Sequence, residues 1–564
     1  MEKQGVLSSQ LLVKNRVFEV ALDGDLLSWR ELVRRTRISG GVRDALRAGF
    51  CLAKVLHRSR DTSGSRSVAV SEIIAVRETE PDSCLKEDGR WQKMAQTHPC
   101  AFTVSYVERG SQHCWRCVDV TFQCPDGALC QRWVQAIKEQ LSLLTSRPKR
   151  LLVYINPYGG KRQGKRIYEQ KVAPLFARAS ISTEVIVTER ANHARDHLNT
   201  EADLRRYSGV VCVGGDGMFS EVIHGLLART QRDAGVDQNC AEESLVPCTL
   251  RVGIIPAGST DCICYATVGI NDPITSALHI IVGDSQPMDV CSIHHNNTFL
   301  RYSVSLLGYG FYGDVLADSE SKQWMGPARY DISGVKTFLT HNYYEGTVSF
   351  LPAQSSLGSP RDKTRCSAGC YVCLHSGQLH SRDRRACEGD EDVSGREDDG
   401  AGGWQVLRGK FLAINSASMS CACPRSPKGL SPAAHLADGT ADLILVRKCS
   451  RLNFLRHLLR HTSKDDQFDL DFVEVHRVRR FRFTPRHCES ELDLKEHGKT
   501  LFGHICRDHP ACGCTALNSS WNCDGEILQQ AAIDVGVHCQ LIRLFARGIE
   551  EPVITEDMRG LNAV

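Results

Sequence analysis

Short apolar runs that end in glycine-rich turns recur through the middle of the chain. Val210-Val-Cys-Val leads into Gly214-Gly-Asp-Gly, and Phe219, Val222, Ile223 and Leu226 follow at helical spacing. A continuous apolar run with both faces covered reads as a central strand of a parallel sheet, and the periodic run after it as an amphipathic helix. Leu151 to Asn156, Glu184 to Thr188 and Arg251 to Pro256 repeat the strand-then-turn pattern. Residues 151 to about 281 therefore predict βαβ alternation, with ligands at the carboxyl ends of the strands. From Met288 the pattern turns β-rich, in Leu300 to Leu307, Gly346 to Leu351, Asp442 to Val446 and Val537 to Phe545. That predicts a second lobe, a β-sandwich, with a site in the cleft between lobes.

The first 147 residues follow a different rule. Leu11 to Leu22, Val68 to Val76, Ala101 to Val107 and Val118 to Phe122 read as short strands with partial alternation. A helix follows the turn Cys-Pro-Asp-Gly at 124–127, with Cys130, Trp133 or Val134, Ile137, Leu141 and Leu144 on one stripe. Antiparallel strands capped by a C-terminal helix carrying a tryptophan resemble a pleckstrin-homology domain. Between Arg30 and Arg66 ten basic residues face three acidic ones. Such a loop suits anionic lipid headgroups, at about 1 kcal/mol per basic residue near the surface; the alternative is a solvated loop without a partner. The expected organisation is a membrane-binding domain at 1–147, an α/β nucleotide lobe at 148–287, a β-rich lipid lobe at 288–548 and a tail at 549–564. Stretches rich in Ser, Gly and charge near 354–403 and 485–503 read as mobile insertions.

Composition narrows the class without deciding it. A chain of 564 residues that is 42% hydrophobic and 24% charged has room for two or more cores. A net charge of +3 argues against nucleic acid as the main partner. No apolar run reaches bilayer-spanning length and no N-terminal stretch has signal-peptide form, so a soluble or peripherally attached intracellular protein is expected. The 26 cysteines then read as thiols or metal ligands.

The glycine turn carries the candidate chemistry. Gly214, Gly215 and Gly217 let backbone approach a ligand closely, and a helix N-terminus favours phosphate. Asp216 is a carboxylate where anions are expected, which suits a proton acceptor or metal ligand; the plainer reading is a residue near a helix N-cap. Gly159 to Arg166 nearly matches a phosphate-binding P-loop, but Arg166 stands where a Ser or Thr hydroxyl is needed for Mg²⁺. Its glycines with Lys161, Lys165 and Arg166 still suit a polyphosphate.

Asn156-Pro-Tyr-Gly-Gly, Gly214-Gly-Asp-Gly and Pro256-Ala-Gly-Ser-Thr-Asp, in that order, resemble the diacylglycerol kinase catalytic domain shared with sphingosine kinases. The resemblance implies a two-lobed lipid kinase that uses ATP to phosphorylate the primary hydroxyl of ceramide. Alternatives are a sphingosine or diacylglycerol acceptor, or a catalytically silent lipid-binding adaptor. Asp216 would be catalytic, with Gly214, Gly215, Asp216, Gly217 and Asp314 on the lipid. The nucleotide would meet Asn156, Pro157, Tyr158, Thr188, Glu189, Arg190, Ala191, Asn192, Glu221, Gly258, Ser259, Thr260, Arg329, Asp524, Gly525 and Glu526. Mg²⁺ would ride on the phosphates. The resemblance also implies a cytoplasmic protein, peripheral on Golgi and plasma membranes and on anionic phosphoinositides. Two departures stand out: Lys322-Gln323 precedes Arg329 where a second basic residue is sometimes found, and Met218 replaces a common Thr.

Two further features stand apart. Cys366, Cys370 and Cys373, with His375, His380 and Cys387 nearby, offer three thiols and a fourth ligand for tetrahedral zinc; reactive or lipid-proximal thiols, or no special role, are the alternatives. Cys421, Cys423, Cys506, Cys512, Cys514 and Cys523 pose the same question. Arg447 to His461 places Leu452, Phe454, Leu455, Leu458 and Leu459 on one helical arc and Arg456, His457 and Arg460 opposite. This basic amphipathic pattern suits a membrane or calmodulin, through which Ca²⁺ would act, and equally a helix that packs on its own lobe. The family resemblance favours calmodulin.

Overall fold

Lys14 and Asn15, both in the left-handed backbone region, split the apolar run 11–22 into a two-residue hairpin. The strands it joins are β1 (Leu7–Val13) and β2 (Arg16–Asp23). The computed structural model describes residues 6–32, 65–79, 100–326, 328–353, 358–362, 364–377, 403–461, 466–486 and 518–551. Chain contacts divide it into two compact units, 1–147 and the remainder, apart from 177–180 and 281–283, which group with the first.

In the first unit β3 (Leu26–Glu31), β4 (Ser65–Ala69), β5 (Ile73–Thr79), β6 (Cys100–Arg109) and β7 (Trp115–Cys124) complete an antiparallel sheet in the order β4-β3-β2-β1-β7-β6-β5. Val70–Glu72 form a single 3₁₀ turn that breaks the run 68–76 into β4 and β5. Helix α1 (Gly127–Ser142) is capped by Asp126, whose side chain accepts the Leu129 N–H at 2.7 Å. Its buried stripe is Cys130, Trp133, Val134 and Ile137, and the Trp133 ring stacks on Phe102 at 6.0 Å. This is a pleckstrin-homology architecture. Of the basic stretch 30–66, residues 33–64 lie outside the described residues; Arg30 pairs with Glu19 on the exposed sheet face.

In the second unit β8 (Arg150–Ile155), β9 (Ser182–Val187), β10 (Gly209–Gly214) and β11 (Arg251–Pro256) pair in parallel in the order β9-β8-β10-β11. Every residue of β10 is buried, as its apolar run requires. Helix α2 (His193–Thr200) follows β9, α3 (Asp216–Asp233) follows β10, and α4 (Cys262–Val268) follows β11. Phe219, Val222, Ile223 and Leu226 of α3 are all buried.

The β-rich remainder comprises β12 (Gln286–His295), β13 (Thr298–Ser303), β14 (Leu306–Gly310), β15 (Tyr344–Pro352), β16 (Gln405–Ala417), β17 (Ala441–Arg447), β18 (Val473–Pro485), β19 (Trp521–Cys523), β20 (Glu526–Leu528) and β21 (Ile533–Leu544). The second lobe folds over a core of its own, as the sequence predicts, and its strands also join those of the first lobe in one mixed hydrogen-bonded sheet. The last strand, β21, lies parallel to β11 and antiparallel to β12 and β18, so it stitches the lobes together. β16 and β18 each pair with β15 along one half and with β17 along the other, folding the sheet over its own core of Phe411, Ile414, Leu443, Phe481 and Trp521. No helix among the described residues is long and apolar enough to cross a membrane.

Candidate active site

The carboxyl ends of β8, β9, β10 and β11 form one rim. Asn156 leaves β8 with its N–H on Val213 O at 3.0 Å, and its Oδ1 accepts the N–H groups of Tyr158 (2.9 Å) and Gly159 (3.1 Å). That turn folds the loop over the sheet while Tyr158 stays exposed. Thr188, buried after β9, places both its N–H and its hydroxyl on Ile155 O. Three glycine turns then meet backbone to backbone. A Cβ on Gly160 would lie 2.5 Å from Ala257 O, and one on Gly258 would lie 2.6 Å from Gly215 Cα. Ser259 and Thr260 are exposed beside them.

Asp216 opens α3 but serves α4. Its oxygens accept the first two N–H groups of that helix, Cys262 at 3.0 Å and Ile263 at 2.9 Å. The residue before α4, Asp261, has a left-handed backbone and sends its own carboxyl back to the Gly258 N–H at 2.9 Å. Burial raises the Asp216 carboxyl above its ordinary range, the two N–H bonds pull it back, and the charge of Asp524 adds to the rise. Asp261 is pushed up to about 6 by burial, against the Gly258 N–H bond and with the Asp216 charge adding to the rise. Asp261 belongs to the motif at 256–261 yet is not among the residues assigned a role from sequence. Its signal was the αL-tolerant Asp directly before a helix.

From the second lobe, Asp524 fills a nest of donors between β13 and β14. It accepts the N–H groups of Val304 (2.8 Å), Ser305 (3.0 Å) and Leu306 (2.9 Å) and both the Ser303 and Ser305 hydroxyls. This explains why the predicted strand 300–307 breaks after Ser303. Gly525, left-handed, turns the chain so that Glu526 pairs with Arg301. Arg301 also reaches the Ser220 hydroxyl of α3 at 3.5 Å, and His224 of the same helix accepts the Tyr302 N–H at 3.0 Å. The Asp-Gly-Glu segment is thereby tied to the helix that Asp216 begins. Arg301, Ser220 and His224 carried no motif in the sequence.

Glu221 accepts the Ala194 N–H at 2.8 Å, so it caps α2. Glu189, Arg190, Ala191 and Asn192 lie exposed between β9 and α2, with Arg190 on Asp196 at 2.7 Å. Gly217 is exposed with open space above it. Asp314 and Arg329 sit on neighbouring helices of the second lobe, α5 (Phe311–Glu320) and α6 (Ala328–Thr340). Asp314 accepts the Tyr344 hydroxyl (2.7 Å) and the Ser519 hydroxyl (2.6 Å), and burial raises its carboxyl. The Arg329 guanidinium stacks on the Tyr330 ring at 4.7 Å. The partners of both residues thus belong to that lobe and not to the glycine rim.

Helix α7 (Arg451–Arg460) departs from the sequence-based arc. Phe454 and His457 are its buried residues, Phe454 stacking against Phe338 of α6, and burial drives the His457 imidazole down to about 3. Leu452, Leu455 and Leu459 of α7 are exposed, as are Val335 and Leu339 of α6. The helix turns by about one position because Phe454 fits between α5 and α6, and three leucines are left outside.

Sequence profiles match in three blocks: the ceramide kinase PH domain at 7–137, the diacylglycerol kinase catalytic domain at 150–293 and the ceramide kinase C-terminal domain at 305–557. A ceramide kinase of Homo sapiens is 63% identical over 487 residues, covering 86% of this chain and 89% of its own. One of Mus musculus is 61% identical, with 86% and 91% covered. One of Oryza sativa subsp. japonica is 31% identical, with 77% and 83% covered.

Proposed function

The chain belongs to the ceramide kinase family, lipid kinases built on the diacylglycerol kinase catalytic domain, and on that premise we propose how it phosphorylates ceramide. The terminal phosphoryl group of ATP passes to the primary hydroxyl of ceramide, giving ceramide 1-phosphate and ADP. The single observation that carries the site assignment is the Asp216 carboxylate, fixed by two N–H bonds at the rim where three glycine turns touch.

A carboxylate offers about four acceptor positions. Two are used by Cys262 and Ile263, which leaves others free for a substrate hydroxyl. Raised basicity suits a group that takes a proton as the O–P bond forms, and fixed orientation supplies the positioning on which phosphoryl transfer depends. The triphosphate is placed at the N-terminus of α3 and the loop of Gly258, Ser259 and Thr260. Asn156, Pro157, Tyr158 and Thr188 to Asn192 line the nucleotide side of the rim. The Glu526, Arg301 and Ser220 contacts hold the second lobe against α3.

Asp216 and Asp524 are engaged by backbone N–H groups, so the donor set fits a magnesium ion held chiefly by the phosphates, where it supplies charge neutralisation. The exposed leucines of α7, with the exposed Val335 and Leu339 of α6 and the exposed cations Arg451, Arg456, Lys336 and Lys448 on the same lobe, support docking on an anionic bilayer that delivers the lipid. The first unit is assigned to phosphoinositide membranes on its fold.

The test is phosphoryl transfer from γ-labelled ATP to ceramide, sphingosine and diacylglycerol presented in mixed micelles, for the wild type and Asp216→Asn. Ceramide should be labelled, and the variant should lose about 10²–10⁴-fold in turnover with an unchanged fold, the usual contribution of a proton acceptor. Retained turnover in Asp216→Asn, or label on another lipid while ceramide stays unlabelled, overturns the reading. A chain that labels no lipid would be an adaptor.

A further inference from the structure

We propose that Cys366, Cys370, Cys373 and His435 form a structural zinc site that staples the 366–377 segment to the second lobe. The ligand atoms of these four residues all lie within 4.8 Å of one another. Cys366 and Cys373 sulfurs are 3.6 Å apart, and the Cys370 sulfur is 3.2 Å from His435 Nδ1. Four ligands at tetrahedral corners, with metal–sulfur bonds of about 2.3 Å, stand roughly 3.8 Å apart. The cluster is therefore at metal-binding spacing. An S–S bond would need about 2.0 Å.

Local structure explains the arrangement. Cys370 precedes a short helical turn, and Leu374 N–H returns to Cys370 O at 3.1 Å, so Cys370 and Cys373 share one face. His435 arrives from a distant, buried loop, 4% exposed, beside Leu436 and Ala437 of the main core. Sequence spacing points to His375, His380 or Cys387 as the fourth ligand. His375 instead stacks on Tyr371, and His380 and Cys387 lie outside the described residues.

Three thiolates and one imidazole make a soft donor set that favours zinc over magnesium or calcium, and four protein ligands leave no open position for a substrate. The site is structural for that reason. It would join two segments, 366–373 and the loop of His435, that both already meet a third, β21. Gln540 of β21 donates to Cys373 O at 2.9 Å and to Ala437 O at 3.2 Å, and Ala368 N–H reaches Ile549 O at 2.9 Å. The same loop meets Asp289, whose carboxylate accepts the Gly439 N–H at 2.6 Å. The 366–377 segment, whose Cys373 is buried while Tyr371 and Leu374 stay exposed, is thus fixed to the strand that joins the lobes.

The experiment is metal analysis of the full chain, purified without chelator, with cobalt exchange on the wild-type protein as a readout that needs no variant. Expected are one zinc per chain, the intense visible bands of tetrahedral thiolate-bound cobalt after exchange, and a lower Tm after chelation. His435→Ala and Cys370→Ser should lose the stoichiometric metal, His435→Cys should recover it, and His375→Ala should keep it. A wild-type protein that holds neither zinc nor cobalt, one whose intact mass shows a disulfide in place of metal, or a His435→Ala variant with full zinc overturns the site.

Discussion

Replacing Gly217 by Ala separates two reasons for a glycine to stand in the turn. Gly217 is the second residue of α3, and a Cβ built on it meets nothing within 4 Å. With no clash and a helical backbone, Ala should stabilise the fold by up to about 1 kcal/mol. For a chain of this size that raises Tm by at most about 2 °C. The contrasting position is Gly258, where the new Cβ would lie 2.5 Å from Asp261 Oδ1 and 2.6 Å from Gly215 Cα. Carbon atoms prefer about 3.5–4.0 Å, and overpacking of this kind costs about 1–3 kcal/mol. Gly258→Ala should therefore lower Tm and activity together. Gly217→Ala should keep or raise Tm yet lose activity if, as proposed, the open space beside Asp216 receives the ceramide headgroup and the triphosphate. Misplacing reacting groups by about 1 Å costs roughly 10²-fold. The assay pairs thermal melts with kcat/KM for ceramide at saturating ATP. Wild-type kcat/KM in Gly217→Ala would refute the claim that this turn cradles substrate.

Other consequences follow from the acidic rim and the outward leucines. Asp261 is held near 6, above its unfolded value of about 3.9, so its ionised form weakens the fold above pH 6 and the penalty fades as pH falls toward 4. Asp261→Asn, whose Oδ1 can still accept the Gly258 N–H, should melt higher than the wild type above pH 6, with the gap closing toward pH 4; a gap independent of pH would contradict the assignment. Replacing Leu452, Leu455 and Leu459 by Ser should leave micelle turnover largely intact and reduce sedimentation with anionic vesicles several-fold. Unchanged sedimentation, or loss of calmodulin capture alone, would count against a bilayer on that face.

What could be read in the chain was local or periodic. The apolar run 210–213 reads as a buried strand because it is short, rich in β-branched valine and closed by glycine, and the spacing of Phe219, Val222, Ile223 and Leu226 gives the helix after it. Glycine turns ending three of the parallel strands imply a shared rim, because parallel strands place their carboxyl ends on one side. Asp216 stands out by type alone. The turns at Lys14-Asn15 and Val304-Ser305 were hidden inside apolar runs, since a two-residue turn leaves the average pattern unchanged.

Long-range pairing decided the rest. Which donors Asp216 faces depends on where α4 begins, and that depends on β11 lying beside β10 and on Asp261 taking a left-handed backbone. That Asp524 fills a nest of N–H groups from residues about two hundred positions earlier depends on β19 pairing with β14. His435 reaches Cys370 only because β21 ties both segments to one core. Sequence determines the elements, because periodicity and turn chemistry act over a few residues. Tertiary structure selects partners among many similar carboxylates, thiols and imidazoles, since burial and hydrogen-bond satisfaction are properties of the assembled sheet.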